Sequence, residues 1–273
     1  MRHRDADLHD LMLNLRDQVE DLAGGPRRLT GLLDMRRGRR PRGDDGYFEQ
    51  MTWCVFKAGI SAAVVNRKWS HFRKAFAGFS IPTVAAFTGR DVTRLTKDPG
   101  IIRYRGKIEA TVANAREMLA VRGEFGSFRR FLTRYGPAEQ GQLYVDLRRR
   151  FSHLGPYTVR AFLRRVGEDV FYSHADTLRV LYRLGLIKSP RAPDPEVGQA
   201  HARLAAATPG SRVDEINRLV TRFGSGYELD DAICADVPKC HRCAISHWCW
   251  YYREVRTPTQ RRDVPTGFDT CGA

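Results

Sequence analysis

The chain has 273 residues, with 46 Lys and Arg against 31 Asp and Glu, and a net charge of +15 at pH 7. This excess favours a polyanionic partner, and we expect nucleic acid rather than a membrane, because no basic segment carries a bulky apolar face. No apolar run is long enough to cross a bilayer, and the opening Met-Arg-His-Arg is not typical of a secretory signal. We therefore expect a cytoplasmic, nucleoid-associated protein, although a protein from an arginine-rich proteome would show the same charge.

Apolar spacing predicts helices almost throughout the chain, and no alternating pattern indicates strands. Gly24-Gly25-Pro26 ends the first helix, and a basic linker follows at 35–43. The predicted helices cover 5–23, 47–65, 70–79, 101–120, 126–135, 141–150, 158–166 and a segment that begins near Ser211 and Asp214. Residues 189–196 are a predicted loop, and the polar tail from Thr257 is predicted to be disordered. The expected fold class is all-α.

Four of the six cysteines occur in one Cys-x5-Cys-x2-Cys-x5-Cys segment, at Cys234, Cys240, Cys243 and Cys249. Four thiolates can bind zinc or a [4Fe–4S] cluster. The single short pair with longer outer spacings favours the bulkier iron–sulfur cluster, with zinc as the alternative. The neighbouring Lys239 and Arg242 are candidate contacts to a phosphate backbone.

A sharp turn is predicted at Leu154-Gly155-Pro156, directly before a helix that opens with Tyr157 and Thr158. Gly155 would let the backbone approach a phosphate, and the first amides of the helix would point at it. Arg160, in the same helix, is a further candidate DNA contact. An ordinary helix–helix turn is the alternative interpretation.

Two resemblances follow from these motifs. The cysteine segment resembles the cluster loop of the endonuclease III superfamily of DNA glycosylases, with a first spacing of five residues instead of the usual six. Residues 47–79 and 98–119, with the Phe-Arg-x-Ala-Phe and Ile-Ile-Arg-x-x-x-Lys-Ile patterns, resemble 3-methyladenine DNA glycosylase I. Residues 153–167 resemble its helix-hairpin-helix segment. That family uses a zinc site, and the N-terminal ligands of that site are not found in this sequence.

The resemblance implies two helical domains of the helix-hairpin-helix DNA glycosylase type, with DNA crossing the cleft between them. We expect an N-terminal helix and linker (1–45) that pack with the C-terminal domain, a helical barrel domain (46–165), an iron–sulfur domain (166–255) and a disordered tail (256–273). The implied function is excision of a modified base from double-stranded DNA by a monomeric, monofunctional glycosylase that flips the base into a pocket between the domains.

The resemblance also implies candidate catalytic residues. The position of the catalytic aspartate in the endonuclease III branch aligns with His174. The nearby carboxylate is Asp176, which is also predicted to cap a helix. Either residue is a candidate for stabilising an oxocarbenium-like transition state. Tyr157 replaces the hairpin lysine of the lyase members. Lys57, where the type I family has a pocket glutamine, is a candidate nucleophile or a half-buried helix lysine.

The base pocket departs from the type I family. The base-reading glutamate aligns with Cys54, and the pocket tryptophan aligns with Ala62. Trp53 is a candidate for restoring a stacking surface, with a core position as its alternative. We therefore expect a bulkier modified base rather than 3-methyladenine. Two rival functions remain: an inactive damage-binding protein on the glycosylase scaffold, and a lyase or base-exchange enzyme that uses Lys57.

Overall fold

The computed structural model describes residues 5–34 and 37–255, and within these ranges every regular element is helical. The all-α prediction is confirmed for this part of the chain. The helices are α1 (Asp5–Ala23), α2 (Pro26–Leu33), α3 (Asp44–Lys57), α4 (Ala62–Ala75), α5 (Ile81–Ala85), α6 (Gly89–Lys97), α7 (Arg105–Phe125), α8 (Phe128–Thr133), α9 (Gln140–Arg150), α10 (Pro156–Arg165), α11 (Ala175–Arg183), α12 (Asp194–Ala206), α13 (Val213–Ser225) and α14 (Trp250–Val255). Short 3-10 turns occur at Ala77–Phe79, Pro137–Glu139, Cys240–Arg242 and Ser246–Trp248. The tail predicted to be disordered lies outside the described residues, as does Cys271.

The chain divides into two compact units. Unit one lies within Met1–Arg36, Pro137–Gly141 and Phe171–Ala273, and unit two within Arg37–Gly136 and Gln142–Val170. The segment Pro137–Gly141, which we assigned to the barrel domain, belongs to unit one. The reason is a backbone contact with α12, since a Cβ on Gly141 would lie only 2.0 Å from the Asp194 carbonyl oxygen.

The apolar stretch predicted as one helix over 47–65 is two helices, and this part of the prediction is wrong. The break falls at residues 58–61, where Gly59 has φ +75°, a conformation that L side chains rarely adopt. Ser61 then caps α4, because its hydroxyl accepts a hydrogen bond from the Val64 amide at 3.3 Å. The apolar pattern continues across the break because both helices contribute to one core.

The core of unit two forms around α7, which packs against α3, α5, α6 and α8. The aromatic stripe of α4 and the following turn is fully buried at Phe72, Phe76 and Phe79. Trp69 stacks on Phe72 and Phe79, with ring centroids 5.0 and 5.3 Å apart. These rings therefore belong to the core and are not surfaces for base stacking.

Unit one includes α1, α2 and α11 to α13, and α1 packs on both α12 and α13. The start of α13 differs from our prediction. Arg212, not Ser211, is its N-cap residue, and Glu215 accepts a hydrogen bond from the Arg212 amide at 3.2 Å. No helix among the described residues is long and apolar enough to cross a membrane.

A buried polar network fixes the segment that leads into α11. His201 is fully buried, stacks on Phe171 at 5.1 Å and bonds the Val197 carbonyl through Nδ1 at 2.9 Å. Asn217 bonds both backbone groups of Tyr172 at 3.0 Å and contacts His201 Nε2 at 3.1 Å. Burial lowers the pKa of His201 from its ordinary value to about 4.

The depressed pKa of His201 predicts a loss of stability in mild acid. Because the unfolded chain takes up the proton near pH 6.5 and the folded chain only near pH 4, the free energy of unfolding falls as the pH drops between these values. Uptake of one proton on unfolding lowers the free energy of unfolding by at most ~1.4 kcal/mol for each pH unit of acidification. Urea unfolding from pH 7 to pH 5 should show a steeper loss for the wild type than for His201→Phe. Equal slopes for the two proteins would contradict this origin.

Candidate functional site

The turn between α9 and α10, residues 151–155, is held by one buried side chain. Asn114 of α7 is 2% exposed, and its Nδ2 donates to the Ser152 carbonyl oxygen at 3.0 Å. Its Oδ1 accepts from the Ser152 amide at 2.7 Å. His153, the next residue, has a positive φ of 60°, a conformation that is uncommon for residues other than glycine. Asn114 thus supplies the constraint that holds this turn.

A basic groove lies along the same turn. Its lining includes the last turn of α9, with Arg148, Arg149 and Arg150, and continues through residues 151–156. Arg149 has an exposed side chain and makes only a 3.5 Å contact with Asp146, whereas Arg150 is paired with two glutamates of α7. The arginines were not singled out from the sequence, although three consecutive cations before a glycine turn are a readable signal.

The predicted DNA contacts of the turn are divided between surface and core. Gly155 is the N-cap of α10, Pro156 is its first residue, and no atom lies within 4 Å of the position that a Gly155 Cβ would take. Leu154 and Thr158 have buried side chains, so they support the turn from inside. Tyr157 is 61% exposed.

Arg160 is a correction to the predicted DNA contacts. It is only 4% exposed, its Nη1 donates to the Pro156 carbonyl oxygen at 2.6 Å, and its guanidinium lies 4.7 Å from the Tyr144 ring centroid. The side chain is therefore part of the interior of unit two. The helical period explains the error, because position 160 falls on the buried face with Val159 and Leu163.

The end of α3 brings together three residues that sequence analysis singled out. Lys57, half-buried, lies with its ammonium 5.5 Å from the Tyr157 ring centroid. Cys54 is 2% exposed, and burial raises the pKa of its thiol to about 12, although nearby Arg165 and Lys57 favour the thiolate. Cys54 is thus a neutral thiol at pH 7.

Lys107 of α7, which sequence analysis did not identify, organises this helix end. It is 7% exposed, and its ammonium donates to the carbonyl oxygens of Phe56 at 3.2 Å and Ala58 at 2.5 Å. Burial lowers the pKa of Lys107. A cation at a helix C-terminus satisfies carbonyls that have no partner within the helix, so Lys107 fixes the position of Lys57.

The two remaining pocket candidates offer little stacking surface. Trp53 is 9% exposed, donates its indole N–H to Asn66 Oδ1 at 2.9 Å, and has the Arg165 guanidinium 3.7 Å from its ring centroid. Ala62 is the first residue of α4 and contributes only a methyl group. The core interpretation of Trp53 agrees with this burial.

His174 and Asp176 lie at the start of α11, in unit one. His174, not Asp176, is the N-cap residue, so the predicted capping role of Asp176 is wrong. The His174 ring is exposed and stacks on Tyr172 with centroids 5.5 Å apart. Asp176, with a side chain 35% exposed, accepts a hydrogen bond from Arg179 Nη2 at 2.5 Å.

The four clustered cysteines line one small cavity. Cys234, Cys240, Cys243 and Cys249 surround it together with Ile233, Pro238, Arg183 and two tyrosines. Burial raises the pKa of Cys243 to about 12 and that of Cys249 to about 11. Within the described residues, no group of three or more His, Cys, Asp or Glu side chains meets the geometry of a metal site. The four cysteines nevertheless line a common space.

Two buried arginines of α11 fasten this cysteine loop. Arg183 is 4% exposed and donates to the carbonyl oxygens of Ala235 at 2.6 Å and Asp236 at 3.0 Å. Arg179 donates to the Cys234 carbonyl oxygen at 3.0 Å and to the Asp236 carboxylate at 2.8 Å. One guanidinium, that of Arg179, therefore contacts both the cysteine loop and Asp176.

The two cations predicted to meet phosphate from this loop are engaged with a carboxylate. Lys239 and Arg242 both pair with Asp231, the arginine at 2.8 Å, and the pKa of Asp231 is lowered chiefly by the hydrogen bond from Lys239. Both side chains remain partly exposed. Gln18 of α1 bonds the Arg242 carbonyl oxygen at 2.5 Å and the Ala244 amide at 2.9 Å. Their contact with a phosphate backbone stays a prediction.

Residues 32–146 match the model of the methyladenine glycosylase family. DNA-3-methyladenine glycosylase 1 of Escherichia coli (strain K12) is 46% identical over 72 residues, which are 26% of this chain and 38% of that protein. The DNA-3-methyladenine glycosylase of Haemophilus influenzae is 35% identical over 74 residues, which are 27% of this chain and 40% of that protein. The chain thus spans about two fifths of the length of these curated relatives.

A solved structure of 3-methyladenine DNA glycosylase I from Staphylococcus aureus, described for its recognition of 3-methyladenine, is 29% identical to the chain. The superposition covers 50% of this chain and 84% of that chain, with a TM-score of 0.44.

Removing the Asn114 carboxamide should loosen the α9–α10 turn. We expect Asn114→Ala to lower the free energy of unfolding by about 1–3 kcal/mol, because the Ser152 amide and carbonyl lose their partner, and to weaken binding to a short duplex severalfold. Thr111→Val is the matched control, since Thr111 is equally buried in α7 but bonds only the Lys107 carbonyl. Calorimetry and fluorescence anisotropy measure the two effects. A duplex affinity that falls equally in both variants would contradict the role of Asn114.

Proposed function

We propose that the protein is a DNA glycosylase that binds DNA through the α9–α10 turn and releases a modified base. The observation that carries this proposal is the family match over residues 32–146, a segment that includes α3, α4 and α7. These helices carry Cys54, Lys57 and Asn114. The basic groove beside the turn and the net charge of +15 support DNA as the partner.

The α9–α10 turn is suited to holding a phosphate without reading base sequence. Gly155 leaves open space before the first amides of α10, and Arg148 and Arg149 add positive charge at the same groove. Contacts of this kind fix the position of a duplex, whereas specificity for a lesion must come from the base pocket. The proposal also includes double-stranded DNA as the substrate, a monomeric protein and flipping of the modified base into a pocket.

The substrate we propose is a modified base other than 3-methyladenine. In the resemblance to the type I family, Cys54 and Ala62 occupy the positions of a base-reading glutamate and a stacking tryptophan. A buried neutral thiol cannot offer the carboxylate that accepts hydrogen bonds from an adenine amino group. The methyl group of Ala62 leaves more room, which favours a bulkier base.

The proposed reaction is hydrolysis of the N-glycosidic bond. The bond between C1′ and the base nitrogen breaks, the base leaves with the bonding electrons and takes up a proton, and water adds its oxygen to C1′. Asp176 is the candidate for stabilising the positive charge that develops on the sugar, and His174 is the alternative. Arg179 holds the Asp176 carboxylate in one orientation.

The second candidate function is a damage-binding protein without catalysis. Two observations favour it: the Asp176 carboxylate is engaged by a buried arginine, and the pocket position of Cys54 carries no charge. A third possibility, lyase or base-exchange chemistry through Lys57, rests on the placement of that ammonium beside the exposed Tyr157.

Single-turnover base release from duplexes carrying different modified bases tests the catalytic proposal. We expect release from at least one bulky adduct, and a rate about 100-fold lower in Asp176→Asn, since a transition-state contact of this type contributes about that factor. Asp236→Asn is the matched control, because Asp236 also pairs with Arg179 but is largely exposed, and it should keep its rate. His174→Ala tests the alternative residue.

Three outcomes would change the assignment. Activity confined to 3-methyladenine would contradict the proposed substrate. No release from any damaged duplex, with binding retained, would favour the damage-binding function. Borohydride trapping of the protein on an abasic duplex, lost in Lys57→Gln, would favour the lyase function.

We also propose that the four clustered cysteines hold a [4Fe–4S] cluster. Their side chains line one largely apolar cavity. In the sequence, one short pair with longer outer spacings favours a cluster over a single zinc ion. The Arg183 guanidinium lies 3.5 Å from Cys234 Sγ, where it would offset the negative charge of a thiolate. A bound cluster would brace the loop, and no step of the reaction passes through it.

The metal content of the purified protein tests this assignment without reference to activity. We expect about four iron atoms per chain and a broad absorbance around 400 nm. Cys243→Ser should lose both, whereas Cys54→Ser should keep both, because Cys54 lies in unit two. One zinc ion per chain and no visible absorbance would contradict the cluster and favour the alternative metal.

A further inference from the structure

Tyr104 is an exposed aromatic residue on a basic surface of unit two. It is 55% exposed and is the N-cap residue of α7. The Lys107 ammonium lies 5.6 Å from its ring centroid. Because that ammonium is itself held by the carbonyls of Phe56 and Ala58, the tyrosine ring is backed by a cation of fixed position. More than half of the residue nevertheless remains in contact with solvent.

The ring lies beside the α9–α10 turn. A Cβ built on Gly106 would be 3.1 Å from Tyr104 Cε1 and 3.8 Å from His153 Nε2. The absence of a side chain at Gly106 therefore lets Tyr104 and His153 approach the start of α7 together. His153, which has a positive φ, directly follows Ser152, the residue that Asn114 bonds. His153 also lines the basic groove beside the α9–α10 turn, so Tyr104 is adjacent to that groove.

Exposed cations flank the ring in sequence. Arg103 has no ion pair or hydrogen-bond partner within the described residues, and its side chain is exposed. Arg105 pairs with Glu109 at 2.8 Å, but both side chains are at least half exposed. An exposed pair of this kind contributes little, so Arg105 can exchange Glu109 for a phosphate at small cost.

We propose that Tyr104 is a stacking platform for an unpaired nucleotide of the DNA strand held at the α9–α10 turn. The inference rests on the proposed DNA binding and names a contact that lies outside the base pocket. An exposed ring with a flanking pair of arginines is the combination by which proteins bind single-stranded segments: the ring takes the base face and the cations take the phosphates. The platform selects DNA in which a base next to the bound phosphates is already unstacked.

The test uses the full chain and two fluorescein-labelled duplexes of the same sequence, one fully paired and one with a single unpaired 2-aminopurine. Tyr104→Ala should weaken binding to the bulged duplex roughly tenfold while leaving the paired duplex within twofold. Tyr104→Phe should retain the wild-type affinity. Wild type and Tyr104→Phe should also quench the 2-aminopurine fluorescence on binding, because the base stacks on the ring, and Tyr104→Ala should not.

Tyr227 provides a matched control. It is 64% exposed and has the Arg222 guanidinium 5.9 Å from its ring centroid, but it belongs to unit one. Tyr227→Ala should bind both duplexes as the wild type does. Equal losses for Tyr104→Ala on the two duplexes, or unchanged quenching in that variant, would overturn the platform.

The outcome is separable from that of the glycosylase proposal. If the protein binds the bulged duplex through Tyr104 but releases no base, the platform stands and the catalytic proposal fails. If it releases a base at the wild-type rate in Tyr104→Ala and binds both duplexes unchanged, the catalytic proposal stands and the platform fails.

Discussion

The carboxamide of Asn114 is the constraint on which the proposed interface depends. It satisfies both backbone groups of Ser152 from a buried position in the longest helix of unit two. An unpaired buried amide would cost stability, so the turn has one favourable conformation while the core of α7 is intact. That conformation sets His153 at positive φ, presents Gly155 at the start of α10 and brings the arginines of α9 alongside. Tyr104 reaches the same turn from the start of α7.

In unit one, buried charged side chains likewise hold a loop by hydrogen bonds to its backbone. Arg179 and Arg183, one helical turn apart on α11, replace missing backbone partners in the cysteine loop. Burying two guanidinium groups is unfavourable unless their N–H groups are satisfied, and the loop carbonyls supply that. Because Arg179 also bonds Asp176, the orientation of this carboxylate and the conformation of the loop depend on one side chain.

Features that depend on local pattern could be predicted from the sequence. The helical class, the turn at residues 154–156 and the clustering of four cysteines follow from periodicity, glycine and proline positions, and spacing. The convergence of Cys234, Cys240, Cys243 and Cys249 on one cavity agrees with that spacing, although the metal is still a proposal. The break between α3 and α4 was missed because the apolar pattern runs through it.

Features that depend on long-range contacts could not be predicted. Nothing in the sequence near Asn114 indicates that it bonds a residue 38 positions away. Lys239 and Arg242 are cationic in the sequence, yet Asp231 engages both, and Arg160 turns inward beside Tyr144. A net positive charge therefore indicates the chemical class of a partner, but it does not indicate which arginines would contact that partner. Burial and ion pairing decide which cations remain exposed at the surface.

The salt dependence of duplex binding tests most directly the proposal that the α9–α10 turn binds phosphate. The account predicts that the logarithm of the affinity falls linearly with the logarithm of the salt concentration, and that Arg149→Ala lowers the slope by about one. Arg122→Ala, on α7 and away from the lining of the groove, should leave the slope unchanged. A duplex affinity that does not respond to salt, or a slope that is the same in wild type and Arg149→Ala, would contradict the account.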